Sequence, residues 1–283
     1  MIRNFLTFDI EEWFHANYEG IDTSSYYSKK TNIEANVHRL MDVCVEYNVL
    51  STCFVLGDVA RQKPHIVRAL FNAGHEIASH GCSHQLVYSM QPETFRRDLR
   101  ESADILAQIT GEAVVGFRAP SWSIKPENLL WFYQILEEEG FLYSSSVYPA
   151  KNTLFGIENF PQYPHYPTAT KILEIPQSVM NLFGNHVGFA GGGYLRFFPA
   201  WLIKQMIKKK NRAGESIFIY LHPREIDLHE ARLKLGRIDS YFHYQGIQGT
   251  EQKLRTLMKE FGGSFVRMDA YARQMRPKTI LSS

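Results

Sequence analysis

Strand-length apolar runs alternate with longer stretches of helical periodicity from the start of the chain. This limits the fold more than any other feature, because it is the signature of a parallel sheet with helical crossovers. Residues 2–8 read as a buried strand. Thr31 with Glu34 forms a capping box ahead of Ile33, Val37, Leu40, Met41 and Cys44, which share one face and predict a helix over 31–47. A strand over 50–56 ends at Gly57, a short helix over 64–71 is closed by Gly74, and a third strand covers 75–79. Phe95, Leu99, Leu106 and Ile109 recur at helical spacing before Gly111 and predict a helix over 92–109. Strands return near 113–118, 141–146, 171–175 and 216–221, with helices near 126–138 and 198–211. About seven β units of this kind make an α/β fold, a distorted or incomplete (β/α) barrel, the simplest architecture. An open doubly wound sheet is the weaker alternative, since no Gly-rich phosphate loop follows any strand. A Pro- and aromatic-rich stretch over 152–168 reads as a surface loop, and Gly191, Gly192 and Gly193 as a flexible loop facing the substrate.

The strand ends carry the chemistry. Thr7-Phe8-Asp9-Ile10-Glu11-Glu12-Trp13 delivers carboxylates at the C-terminal end of the first strand, where barrels place catalytic groups. Alternation along a strand puts Asp9 and Glu11 on one face and Glu12 on the other. His80 and His84, four apart in a turn-like segment, can converge on one metal with a carboxylate from another strand end and leave positions open for water. Gly81 stands where a zinc peptidase carries its general-base Glu. Arg118 is suited to holding a carboxylate in fixed orientation, and the stiff Ala119-Pro120 step aims the Ser121 N–H as an oxyanion site needs. His222 ends the apolar strand Ile219-Tyr220-Leu221, and a His there serves as general acid near neutral pH. Taken singly, the carboxylates fit a solvated strand end equally well, and the two histidines, Arg118 and His222 each fit a structural role better. Their joint appearance at separate strand ends is what points to a site.

In order and content the segments Thr7-Phe8-Asp9, His80 to His84, Arg118-Ala119-Pro120 and Leu221-His222 resemble the polysaccharide deacetylases, carbohydrate esterase family four. Asp9 to His15, Ser145-Ser146-Val147-Tyr148-Pro149, Gly191-Gly192-Gly193-Tyr194 and Tyr220 to Pro223 resemble the subgroup found with bacterial exopolysaccharide and exosortase loci. The resemblance implies a metal-dependent hydrolase that removes an N-acetyl or related acyl group from an amino sugar. It implies Asp9 as general base, Arg118 orienting it, and Glu11, His80 and His84 holding a divalent metal, Zn2+. It further implies the Ser121 N–H at the oxyanion and His222 protonating the leaving amine. It also implies a catalytic barrel over 1–223 with a C-terminal extension over 224–283 packed on it. Two departures stand out: one residue separates Asp9 from Glu11 where many relatives have adjacent aspartates, and Ser144 stands where an Asp often tunes the last His.

Composition narrows the partners. With 31 basic and 29 acidic residues, net +2, the chain has no field to gather nucleic acid. The three cysteines, Cys44, Cys53 and Cys82, lack CxxC spacing and fit a reducing compartment. The N-terminus carries no signal-peptide pattern and no apolar run is long enough for a bilayer, so the expectation is a cytoplasmic protein, peripheral to the inner membrane where its saccharide is lipid-linked. The competing readings are an amidohydrolase of the same fold acting on a small amide or ureide, and an inactive carbohydrate-binding protein. The second predicts loss of at least one key group.

Overall fold

The computed structural model of the protein describes residues 2–18, 26, 29, 31–151, 156–168 and 170–276. Residues 152–155 of the expected surface loop and 277–283 of the expected extension lie outside them. The apolar runs form seven parallel strands in the order β6-β5-β4-β3-β2-β1-β9. These are β1 (Phe5–Ile10), β2 (Thr52–Val55), β3 (Glu76–Ser79), β4 (Gly116–Phe117), β5 (Tyr143–Ser144), β6 (Leu173–Glu174) and β9 (Phe218–Leu221). The two edge strands do not pair with each other, so the sheet is an incomplete (β/α) barrel, as the sequence pattern leads one to expect. Because every pairing is parallel, all C-terminal strand ends, and the residues that follow them, lie along one rim.

Helices α1 (Ile33–Glu46), α2 (Gly57–Gln62), α3 (Pro64–Asn72), α4 (Pro92–Thr110), α5 (Leu129–Glu138), α6 (Gly192–Phe197) and α7 (Ala200–Arg212) precede β9, and α8 (Arg237–Tyr244), α9 (Ile247–Phe261) and α10 (Met268–Met275) follow it. Helix α4 stops where Gly111 takes φ 77°, the left-handed cap its sequence announces. The main core joins Leu6, Phe8 and Ile10 of β1 to Val37 and Leu40 of α1 and to Leu254, Leu257 and Met258 of α9. The chain after residue 224 is thus packed into the same core as the strands. It also bridges Asn4 to Phe265 beside the first strand.

Three local expectations are corrected. The α1 N-cap is Asn32, not Thr31, and no side-chain cap forms; the Asn32 amide instead donates to Asp227 Oδ2 at 3.1 Å. Gly57 does not merely end a strand but opens α2, where its N–H donates to the Gly81 carbonyl at 2.9 Å and an added Cβ would meet Cys82 Sγ at 2.9 Å. Gly191 to Gly193 are not an irregular loop: Gly191 caps α6 and Gly192 and Gly193 begin it. A Cβ on Gly191 would stand 2.1 Å from Tyr220 Cδ1, so glycine is required there by close approach. A hairpin of β7 (Val179–Leu182) and β8 (Asn185–Gly188) precedes α6 and was not foreseen from the sequence.

Candidate functional site

Asp9, Glu11, His80, His84, Ser121 and His222 all line one rim pocket of about 240 Å³, and Arg118 lies buried behind it. A larger groove of about 760 Å³ along α5 contains none of them.

Arg118 follows β4 and is fully buried. Its Nη1 donates to Asp9 Oδ1 at 2.6 Å and Thr7 Oγ1 at 3.0 Å, and its Nη2 to Ser145 Oγ at 3.1 Å. The Phe54 ring stacks 4.0 Å from the guanidinium carbon and Phe218 4.9 Å away. With Oδ1 pinned, Asp9 turns Oδ2 toward His222 Nε2, 3.8 Å away. Ser121 has φ 52° within a turn over Pro120–Trp122, and its N–H donates to no described residue.

The trio Glu11, His80 and His84 brings one ligand atom from each residue within 4.8 Å of the others, all buried. β1 ends at Ile10, so Glu11 is placed by a turn in which its N–H returns to the Asp9 carbonyl, not by strand alternation. Glu12 points elsewhere, where burial raises its carboxyl, with Asp227 adding to the rise and Thr31 and Lys63 opposing it. His80 Nδ1 lies 2.8 Å from the Arg118 carbonyl, which can only accept, so Nδ1 carries the proton and Nε2 keeps its lone pair for the trio. His84 reaches inward because its own backbone is left-handed, φ 58°, just after Gly81 at φ 76°. Glu11 Oε2 sits 2.8 Å from His84 Nε2 and 3.6 Å from His80 Nε2, yet this buried oxygen accepts no well-formed hydrogen bond. An orphaned buried carboxylate oxygen facing two imidazole nitrogens is the arrangement a divalent cation completes, so the donor set fits a metal. Burial alone would raise the Glu11 carboxyl, but His84 and His222 hold it well below its ordinary range.

His222 follows β9 with Nε2 3.6 Å from Glu11 Oε1. Ser144 does not approach it; the Ser144 hydroxyl donates to Ser146 Oγ. The acid facing His222 is Glu225, which the sequence reading missed. Its Oε2 lies 3.4 Å from His222 Nδ1 and accepts the His222 N–H at 3.1 Å, while Oε1 accepts from Arg196 Nε at 3.2 Å. Burial would lower the imidazole, but Glu11, Glu225 and Asp9 raise it to about 9. Burial would raise Glu225, but His222, Arg196 and Arg224 hold it at about 2. The only sequence signal for Glu225 was its position three residues after His222 in a segment opened by Pro223. Asn17, whose amide lies 3.2 Å from His84 Nδ1 and donates to Ser121 Oγ at 3.0 Å, carried no signal at all.

Residues 5–131 match the polysaccharide deacetylase family, and residues 145–273 match a domain of unknown function, DUF3473. The peptidoglycan-N-acetylglucosamine deacetylase of Bacillus cereus is 30% identical over 93 residues, 33% of this chain and 34% of that protein, so the match spans about a third of that relative. A solved structure titled a "probable polysaccharide deacetylase" of Pseudomonas aeruginosa superposes with TM-score 0.63 at 18% identity, covering 97% of this chain and 91% of that one. The allantoinase Puue gives TM-score 0.61 at 19% identity, covering 95% and 88%. At such identities the two structures establish the fold, which agrees with the open parallel barrel seen here. Residues 5–131 thus carry a polysaccharide deacetylase family domain, followed over residues 145–273 by the domain of unknown function that contains His222 and Glu225.

Proposed function

We propose that the protein is a divalent-metal-dependent deacetylase that removes an N-acetyl or related acyl group from an amino sugar. The observation that carries this reading is the convergence, on one pocket, of the Glu11, His80 and His84 trio with an Arg-held carboxylate and an acid-paired histidine. Glu11, His80 and His84 would hold the metal, which we assign as zinc from its mixed carboxylate and imidazole donors. When bound there it supplies Lewis acidity toward the acyl carbonyl. Asp9, aimed by Arg118, takes the proton of the attacking water through Oδ2. The Ser121 N–H donates to the carbonyl oxygen as charge develops on it. His222, kept protonated beside Glu225, delivers its proton to the departing amine. No covalent intermediate is needed, and no side chain is left to act as nucleophile in this set.

The setting we infer is a bacterial surface or exopolysaccharide pathway, supported by the sequence resemblance and by the second-half domain. Among the described residues no helix is long and apolar enough to cross a membrane. The decisive experiment incubates the metal-loaded protein with a panel of N-acetylated mono- and oligosaccharides and small amides, and measures released acetate or ammonia. Acetate from an amino sugar, lost in Asp9→Asn with the metal retained, is the expected result. Ammonia from a small amide with no acetate from any sugar would replace this reading with that of an amidohydrolase.

A further inference from the structure

The pocket extends beyond the hydrolytic groups to a wall that includes Tyr18, Gly193, Arg196, Arg224 and His243. Arg196, on α6, is 5% exposed in its side chain. Its Nε serves Glu225 and its Nη1 donates to the His243 and Gln245 carbonyls at 2.8 and 2.9 Å, but Nη2 donates to no described residue. The space in front of Nη2 is kept bare by Gly193, where an added Cβ would stand 3.6 Å from that nitrogen in ordinary contact. Arg224 is bonded to the His243 carbonyl and to His243 Nδ1, the latter at 2.9 Å, and pairs with no carboxylate among the described residues. Both arginines donate to the same His243 carbonyl oxygen, which holds the two guanidiniums side by side.

The charges on this wall do not balance. Glu225 is the one carboxylate in contact with either guanidinium among the described residues, and it is shared with His222. Glu230, 3.3 Å from His243 Nε2, feels both arginines without touching them, and burial raises its carboxyl to about 7, so it answers the field only in part. His243 adds a lone pair and no charge, because burial, and then the field of Arg224 and Arg196, push its imidazole down to about 2. A neutral hydroxyl would use one donor here and leave the field unanswered. An oxyanion satisfies both, and charge-assisted bonds from arginine are roughly twice as strong as neutral ones.

We propose that Arg196 and Arg224 form an anion subsite beside the hydrolytic pocket, so that the substrate carries a carboxylate or phosphate group next to its acylated sugar. The role of the subsite in the reaction rests on the deacetylase reading; its existence does not. The route from Arg196 through Glu225 to His222 places it next to the leaving-amine side of the pocket.

The test uses the metal-loaded protein in two arms. In the first, inorganic phosphate and glucuronic acid are titrated calorimetrically into wild type, Gly193→Asp and Arg224→Gln. Gly193→Asp sets a carboxylate of the protein's own in front of Arg196 Nη2, on backbone that needs no positive φ. Arg224→Gln removes the second charge at a half-buried position, so the two variants do not share a folding risk. At least one anion should bind wild type, less tightly in high salt, and about tenfold or more weaker in each variant. The better of the two ligands identifies the source as uronic acid or phosphate. In the second arm, an N-acetylated oligosaccharide with a neighbouring uronic acid or phosphate is compared with a neutral one. The acidic substrate should show KM lower by about tenfold with similar kcat in wild type, and this advantage should vanish in both variants. Anion binding that survives both variants, or equal KM for acidic and neutral substrates together with no anion binding, overturns the proposal. Anion binding lost in both variants, with no sugar deacetylated, keeps the subsite and removes the deacetylase reading instead.

Discussion

At the scale of single residues, the site depends on buried charges that each lean on a named partner. Glu225 is the clearest case, because it caps the His222 backbone and faces the His222 ring with the same oxygen. Glu225→Gln keeps an acceptor for the backbone while deleting the charge beside the imidazole. It should therefore retain stoichiometric metal but lose turnover by on the order of tenfold or more, measured as kcat on the best sugar of the panel. Wild-type turnover would mean that His222 needs no partner. His80→Ala, by contrast, should abolish stoichiometric metal on elemental analysis, since it removes the imidazole whose other nitrogen is fixed by the Arg118 carbonyl. Asp9, Glu11, His80, Arg118 and His222 could be picked out in the sequence because each lies at or directly after the end of an apolar strand, and His84 because it follows His80 by four residues; a parallel sheet brings such ends to one rim. Glu225, Arg196 and Asn17 were not, because a single acid and a helix arginine look like ordinary surface groups until long-range packing buries them, and an exposed loop amide gives no sign of the residues it meets.

At the scale of elements, the strands and long helices were readable from periodicity, while short elements governed by contacts were not. Helix α4 repeats its apolar positions over 19 residues and ends at a glycine with φ 77°, so pattern and cap agree. Helices α2 and α6 have six residues each, too few for a period to show, and both start at glycines selected by a neighbour's approach. The triplet Gly191 to Gly193 therefore reads as a loop by composition and folds as a helix start by packing against Tyr220. Gly191→Ala should test that account. Its Cβ would fall 2.1 Å from the Tyr220 ring and 2.5 Å from the Tyr220 carbonyl oxygen, in the strand that delivers His222. We expect a destabilisation of about 1–3 kcal/mol in urea unfolding and a drop in turnover, with metal content preserved. Unchanged stability would show that α6 shifts freely and that close approach is not why glycine stands there.

At the scale of the whole molecule, the chain's last described segment closes the base of the barrel around a buried acid, and this makes stability depend on pH. Glu76, at the start of β3, is 5% exposed and accepts from Thr52 Oγ1 at 2.6 Å, Tyr143 OH at 2.7 Å and the Asp269 N–H at 3.0 Å. Thr52 in turn accepts the Met268 N–H, so α10 is tied to two strands through one carboxyl cluster. Burial, reinforced by Asp269, raises Glu76 from its ordinary 4.5 to about 7. The folded protein therefore keeps a proton that the unfolded chain releases once pH passes 4.5. The stabilising contribution is fully present below 4.5, falls as pH rises, and is gone above about 7. While it falls, one such proton changes the unfolding free energy by about 1.4 kcal/mol per pH unit. Glu230, with its side chain 2% exposed and also raised to about 7 by burial, adds a second proton in the same window. Glu76→Gln preserves most of the hydrogen bonds without the ionisation, so it should be more stable than wild type at pH 8, where the folded carboxylate is charged. It should also show a shallower decline between pH 5 and 7, followed by urea unfolding at each pH. A decline as steep as wild type's would assign the pH dependence to Glu230 or another buried acid whose carboxyl is raised, and would leave Glu76 ionised in the folded protein at neutral pH.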